Sequence, residues 1–277
     1  MIKIAVIGIV GESIFLSVDR FGGTGETIVA TDYHSELGGK GFNQAVAGAR
    51  YGAKVSFLSA VNESDAKRFR KISKSLGVNG VFIKKKDPSP YAVVTTDKIG
   101  DNKVCVYGGA RLNSKDLDCF VKEIKTANIL LISNEVPVSV NERAVEIAKQ
   151  NGVKVIFNPA PARLSEKSFL DKIDLFTPNE HETEGLENYQ NVVVTLGEKG
   201  CYVKAKDKLI PSIKVERVVD TTGAGDTFNG ILATCLARGE NLEHACQKAN
   251  IGAGIKVTRK YILNSIPFKE EVEKFKE

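Results

Sequence analysis

Val218-Val219-Asp220-Thr221-Thr222-Gly223-Ala224-Gly225-Asp226-Thr227-Phe228-Asn229-Gly230 is the stretch on which the reading of this chain turns. Gly223, Ala224 and Gly225 leave little bulk above the backbone. Beyond Asp226, Phe228, Ile231, Leu232, Cys235 and Leu236 recur at helical spacing, and Gly239 follows as a stop. The pattern predicts a glycine-rich turn opening a helix. Such a turn points free N–H groups at one spot, where the helix dipole favours negative charge. A carboxylate there would repel an anion, so Asp226 needs another purpose. It suits a base that takes a proton from an attacking hydroxyl while the N–H groups hold charge building on a phosphoryl group. An ordinary strand–helix turn with an aspartate N-cap is the other reading of the same residues.

Outward from this turn, two textures alternate. Short β-branched runs read as buried strands at Ile2–Ile7, Val55–Leu58, Ile129–Ile132, Val153–Phe157, Leu175–Thr177 and Val192–Leu196. Helical patterns at Asn43–Tyr51, Ala66–Leu76 and Val140–Asn151 lie between several of them, the last closed by Gly152. Strand, helix, strand in this order predicts an α/β fold, a parallel sheet sandwiched by helices on both faces. Ligands bind beyond the carboxyl ends of such strands. Residues 12–36 and 90–108 break the pattern by alternating apolar and polar side chains, with Gly100-Asp101-Asn102 as turn chemistry. They read as a small antiparallel lid on a single domain spanning 1–277.

Four further segments carry polar side chains near expected strand ends. Gly38-Gly39-Lys40-Gly41-Phe42-Asn43-Gln44-Ala45 combines close backbone approach with fixed donors and acceptors, as a polyol site needs; a flexible turn is the plainer alternative. Asn158-Pro159-Ala160-Pro161-Ala162 is a rigid irregular loop. Thr177-Pro178-Asn179-Glu180-His181-Glu182 sets Asn179 and Glu182 three apart at a strand–helix junction. They suit either hydrated Mg²⁺ or a helix capping box. Thr195-Leu196-Gly197-Glu198-Lys199-Gly200 is a strand-end turn able to line a nucleotide pocket.

In order and wording these motifs resemble the ribokinase-like (PfkB) carbohydrate kinases over nearly the whole chain. GGKGFNQA matches that family's sugar signature and DTTGAGDTFNG its second signature, with NPAPA and TPNEHE between them. The resemblance implies an ATP-dependent sugar kinase acting on a hydroxymethyl group. Asp226 would be the base and Gly223, Ala224 and Gly225 the anion hole. Gly39, Lys40, Asn43 and Glu135 would contact the sugar. Asn179, Thr195, Gly197, Gly200 and Asn250 would face ATP, and Asn179 and Glu182 would govern Mg²⁺ through water. Asp220, Thr222 and Ser265 match a site for a monovalent cation such as K⁺, and lids of this family often pair two subunits, so a homodimer is expected.

Three departures stand out. Gly11-Glu12-Ser13 replaces the Asn-x-Asp that ribokinases carry after the first strand. Losing a charge-assisted double acceptor removes about 1.5–3 kcal/mol of binding, so weak affinity for ribose is expected. Glu12 points the opposite way in an extended strand. Only Thr183–Gln190 links the Asn179–Glu182 motif to the next strand, where the family has a longer helical crossover. Tyr261 stands where a glycine is common in the cation loop. A pentose is the first substrate expectation, a ketose or nucleoside the next. A phosphorylated sugar ranks lower, Arg111 being the one arginine near a substrate loop. A non-catalytic sugar- or nucleotide-binding protein is the rival class. A dinucleotide oxidoreductase is excluded because Gly8-x-x-Gly11 lacks the required glycine spacing.

Composition narrows the partners. A net charge of +5 is modest and scattered, with Lys84-Lys85-Lys86 the only tight basic run, which argues against nucleic acid. The absence of tryptophan gives base stacking little support. No run approaches a membrane span. Five cysteines without a C-x-x-C pair, and three dispersed histidines, argue against disulfide frameworks and zinc and for a cytoplasmic protein.

Overall fold

The structure, a computed structural model, describes residues 1–275. Its strands are β1 (Lys3–Ile7), β2 (Gly11–Ser17), β3 (Asp32–Gly38), β4 (Lys54–Asn62), β5 (Val78–Lys85), β6 (Tyr91–Thr96), β7 (Asn102–Tyr107), β8 (Ile129–Ser133), β9 (Lys154–Asn158), β10 (Leu175–Phe176), β11 (Val193–Thr195), β12 (Cys201–Val203) and β13 (Lys208–Ile210). The helices are α1 (Lys40–Arg50), α2 (Ala66–Ser75), α3 (Val121–Lys125), α4 (Val138–Gln150), α5 (Lys167–Leu170), α6 (Ala224–Ala237), α7 (Leu242–Val257) and α8 (Lys269–Lys274).

Six strands form a parallel sheet in the order β10-β9-β8-β1-β4-β5. Its inner strands β1, β8 and β9 are almost wholly apolar because both faces are covered. Ile4 and Val6 of β1, with Ile129 and Leu131 of β8, enter the core under α1, α6 and α7. Ala5, Ile7, Leu130 and Ile132 enter the opposite core, against α4. This period of two sorts each strand between two cores.

A second sheet, β3-β2-β6-β7, lies over the carboxyl ends of these strands. Its β2–β3 and β6–β7 pairs are antiparallel, but β2 and β6 run parallel, since they come from two separate excursions of the chain. The β3 end is fastened down. The Glu36 carboxylate accepts the N–H groups of Ile262 (2.6 Å) and Leu263 (3.0 Å). The His34 ring stacks on Tyr261 at 3.7 Å between centroids. Every residue of β7, at the other edge, is exposed.

Several expectations need correction. Val192–Leu196 does not join the parallel sheet as a full strand. Its core, β11, pairs antiparallel with β12 and meets the β10 side only through isolated bridges at Val192 and Thr195. The segment after Asn179–Glu182 is a series of turns rather than a helix. It is too short for an amphipathic helix, so Leu186 alone is buried there and Tyr189 packs on Phe176. The edge strand β5 was not foreseen; Asn79, Gly80 and the lysine run disguise it.

Candidate active site

Two helices begin at the carboxyl ends of the sheet, and their first turns face one another. Helix α6 starts at Gly223, whose φ of 78° is a left-handed conformation that favours glycine. Asp226 lies inside the first turn, buried, and caps nothing; the N-cap reading of this residue is therefore wrong. Its Oδ2 accepts the Asn43 amide at 2.9 Å and its Oδ1 the Gln44 amide at 3.3 Å, both from the first turn of α1. Burial pushes the Asp226 carboxyl above the ordinary aspartate range, against the pull of Lys40, Asn43, Gln44 and Lys256. A carboxylate so placed is more basic than one in water. Among the described residues, the N–H groups of Gly225 and Asp226 have no backbone or side-chain acceptor, and nothing would meet a side chain at Gly225 within 4 Å. Open space, free donors and a helix start therefore coincide beside a buried carboxylate.

Helix α1 begins at Gly39 without a side-chain cap of its own. Glu135, just after β8, supplies one from across the sheet. Its Oε1 accepts Lys40 N–H at 2.7 Å, and its Oε2 accepts Gly41 N–H at 2.8 Å and Ile9 N–H at 3.3 Å. Burial pushes the Glu135 carboxyl up to about 7, opposed by those N–H bonds. The Lys40 ammonium is raised, chiefly by Asp226, with Glu135 and Glu182 adding to it despite the cost of burial. Asn43 keeps its Oδ1 buried and without a partner, a free acceptor at the site.

These side chains border a cavity of about 290 Å³ roofed by the lid, with Ser13, Gly39, Lys40, Asn43, Glu135, Gly223 and Asp226 in its wall. The opposite wall is apolar: Phe15, Val94, Val104, Val106 and Ile262. The floor at Gly11 is closed by the lid itself. A Cβ on Gly11 would stand 1.8 Å from the Pro90 carbonyl oxygen. Glu12, also at the edge of this cavity, spends its carboxylate on Arg68 at 2.5 Å. A neighbouring cavity of about 410 Å³ shares Ile9 and Glu135 and is bordered by Arg111 and Arg163. Arg163 was missed in the sequence, where it follows the proline loop without any pattern of its own.

The nucleotide candidates lie on the β10–β13 side of the chain and on α7. Asn250 is buried and donates to the carbonyls of Ile210 (2.9 Å) and Pro211 (3.1 Å), so it shapes the chain after β13. Thr195 is half-buried, Gly197 opens the turn after it, and Gly200 closes that turn beside Ile210. Asn179 and Glu182 form the capping-box contact without a helix: Glu182 Oε2 accepts the Asn179 N–H at 3.0 Å, and Asn179 Oδ1 accepts the His181 N–H at 2.8 Å. Glu182 Oε1 makes no hydrogen bond among the described residues, and no cluster of three or more His, Cys, Asp or Glu surrounds it. That donor set fits a hydrated Mg²⁺ whose other ligands are phosphate and water.

Two of the three residues matched to a monovalent cation, Asp220 and Ser265, already make hydrogen bonds within the turn region. The Asp220 carboxylate accepts Thr222 N–H at 2.9 Å and Tyr261 N–H at 3.0 Å. The Ser265 hydroxyl donates to Tyr261 O at 2.6 Å. The Asp220 carbonyl accepts the ammonium of Lys256 at 2.7 Å. With a positive charge already present, this set does not fit a free K⁺. Tyr261 keeps a left-handed φ of 65° where glycine was expected, its ring held by His34 and Phe15.

A parallel α/β sheet, a lid over its carboxyl edge and a carboxylate beside free helix N–H groups define a phosphotransferase of carbohydrate-kinase type. Residues 1–269 match the model of the pfkB family carbohydrate kinases, and the chain belongs to that family. It is 34% identical to the ribokinase of Haemophilus influenzae, covering 99% of this chain and 98% of the relative. To the ribokinase of Bacillus subtilis it is also 34% identical, covering 99% of each. Ribokinase from Thermotoga maritima superposes with a TM-score of 0.85 at 32% identity over 99% of this chain and 98% of that one. Arabidopsis thaliana ribokinase complexed with ribose and ATP does so at 0.85 and 28% over 100% of each.

Proposed function

We propose that this chain transfers the γ-phosphate of ATP to the hydroxymethyl oxygen of a pentose or related sugar. The observation that carries the reading is the buried Asp226 carboxylate beside the free N–H groups of Gly225 and Asp226. The sugar lies in the cavity under the lid, where Asn43 Oδ1 accepts one hydroxyl and the Glu135–Lys40 turn holds others. Asp226 takes the proton as the sugar oxygen attacks phosphorus in line. The new P–O bond forms as the bond to the ADP oxygen breaks, and ADP leaves with that electron pair. The free N–H groups and Lys40 offset charge on the transferring phosphoryl. Glu182 and Asn179 would hold hydrated Mg²⁺, which would neutralise phosphate charge when bound. Thr195, Gly197, Gly200 and Asn250 would border the nucleotide.

The apolar lid wall and the uncharged floor at Gly11 and Ser13 favour a second reading, a sugar with fewer hydroxyls than ribose. The deoxyribokinase of Salmonella typhi, 31% identical over 99% of this chain and 97% of its own length, agrees with that direction. We read the chain as one kinase domain with a lid. No helix among the described residues is long and apolar enough to cross a membrane. All five cysteines are free thiols, which suits the cytoplasm.

The test is ADP release with D-ribose, 2-deoxy-D-ribose, D-fructose and a nucleoside, alongside Asp226→Asn. That variant should keep ATP binding and lose about 10²–10⁴-fold in turnover, the scale of general-base loss. Turnover within a few-fold of the parent refutes the base. No ADP release with any acceptor favours the binding-protein class.

A further inference from the structure

Lys256 is the only lysine or arginine among the described residues whose side chain is fully buried. A buried ammonium is costly unless opposite charge or hydrogen bonding compensates it. Its direct contacts are with Asp220. Its Nζ donates to the Asp220 carbonyl at 2.7 Å and stands 3.9 Å from the Asp220 carboxylate; burial pulls the ammonium down to about 8, against the opposing charges of Asp220, Glu36 and Asp226. The sequence hides this, since a lysine near the end of a helix ordinarily reads as solvated.

Its position gives it a task. Asp220 starts the turn that ends in the anion-hole residues Gly223–Gly225. The Asp220 carboxylate fixes the turn internally through Thr222 and externally through Tyr261. Lys256 fixes the carbonyl of the same residue from the helix behind. These groups are where a free monovalent cation was expected, and the donor set does not fit one. An ammonium carries the same single positive charge and is tethered to α7.

We propose that the Lys256 ammonium serves as a built-in monovalent cation that holds the 220–225 turn and makes the kinase independent of K⁺. It is a positioning residue, acting through Asp220 on the anion hole. This rests on the kinase reading, and two readouts keep the two separable.

The first readout is turnover of the full chain at fixed ionic strength, with tetramethylammonium exchanged for K⁺ up to about 0.1 M, where general screening is matched. The parent should change by less than about twofold, within ordinary ionic-strength effects. Lys256→Met, neutral and similar in length, should lose about 10-fold or more, because a fixed charge behind the anion hole is gone, and K⁺ should not restore it. Lys256→Ala leaves room, so K⁺ or methylammonium should restore part of its activity while tetramethylammonium does not. A merely structural lysine would show no such choice among cations. The second readout is the thermal midpoint without sugar or nucleotide. K⁺ should raise it in Lys256→Ala and not in the parent. Specific stimulation or stabilisation of the parent by K⁺ overturns the proposal, as does parental turnover in Lys256→Met. If Lys256→Ala does not fold, the parent and Lys256→Met still decide. If no sugar is turned over, the kinase reading fails and the thermal comparison still decides the cation.

Discussion

Replacing Gly11 by alanine adds one methyl group at the point where the lid closes on the cavity floor. That methyl would lie 1.8 Å from the Pro90 carbonyl oxygen and 2.4 Å from its carbon. A carbon–oxygen contact needs about 3.3 Å, so β6 must retreat by about 1.5 Å at this point (3.3 − 1.8). Neighbouring backbone, unlike a flexible side chain, cannot rotate away. Overpacking of this kind costs about 1–3 kcal/mol. The same movement breaks the bond from Glu12 N–H to Pro90 O, now 3.2 Å, worth about 1 kcal/mol. The sum is about 2–4 kcal/mol. With an unfolding entropy near 2.1 cal/mol/K per residue, about 0.6 kcal/mol/K for this chain, the midpoint should fall by roughly 3–7 °C. Scanning calorimetry of Gly11→Ala beside Ser13→Ala measures it; the serine variant loses one hydroxyl and should stay within about 1 °C. A Gly11→Ala midpoint within 1 °C of the parent would refute the close approach. It follows too that Gly11→Asn cannot rebuild a ribokinase-like sugar anchor here without displacing the lid.

Glu135 bears on pH. Its folded-state value of about 7 lies above the ordinary 4.5, so its contribution is full below 4.5 and is lost as pH rises through 7. The midpoint of Glu135→Gln minus that of the parent should therefore grow between pH 5 and 8; a constant difference would show that Glu135 stays ionised throughout. Glu182→Gln should raise the Mg²⁺ concentration for half-maximal rate while leaving the fold intact. An unchanged Mg²⁺ dependence with a lower midpoint would reduce Glu182 to its bond with Asn179. The exposed Tyr107 and the unpaired outer edge of β7 suit a lid-to-lid homodimer. Light scattering at micromolar concentration should give twice the chain mass of 30.0 kDa, and a monomer there removes the idea.

The inner strands were legible because burial on both faces leaves uninterrupted apolar runs such as Ile129–Ile132. Strand β5 was not, because an edge tolerates Asn79 and Gly80. The three-residue strands β12 and β13 are too short to show any period. At the site, Asp226 and Asn43 could be named from residue type and spacing. Gln44 lay inside a quoted motif, yet its contact with Asp226 depends on how α1 meets α6. Lys256 was illegible for a physical reason: whether a lysine is solvated is settled by neighbours far away in the chain, here the turn at Asp220. The closed floor at Gly11 was equally hidden, since the absence of a side chain does not say what fills the space.

The lid is mechanically a cantilever. Glu36 and the His34–Tyr261 stack clamp β3 to the 261–263 loop, whose Ile262 side chain would stand 2.8 Å from a Cβ on Gly223. Among the described residues, strand β7 carries no such attachment, and it is exposed along its whole length. Bending should therefore grow from β3 toward β7, so that a sugar enters past the β6–β7 tip while the phosphoryl end stays stiff. Hydrogen exchange would register this as a gradient of amide protection across the four strands, steepest between β2 and β7. Equal protection from one edge to the other would mean that the sheet swings as a rigid plate instead.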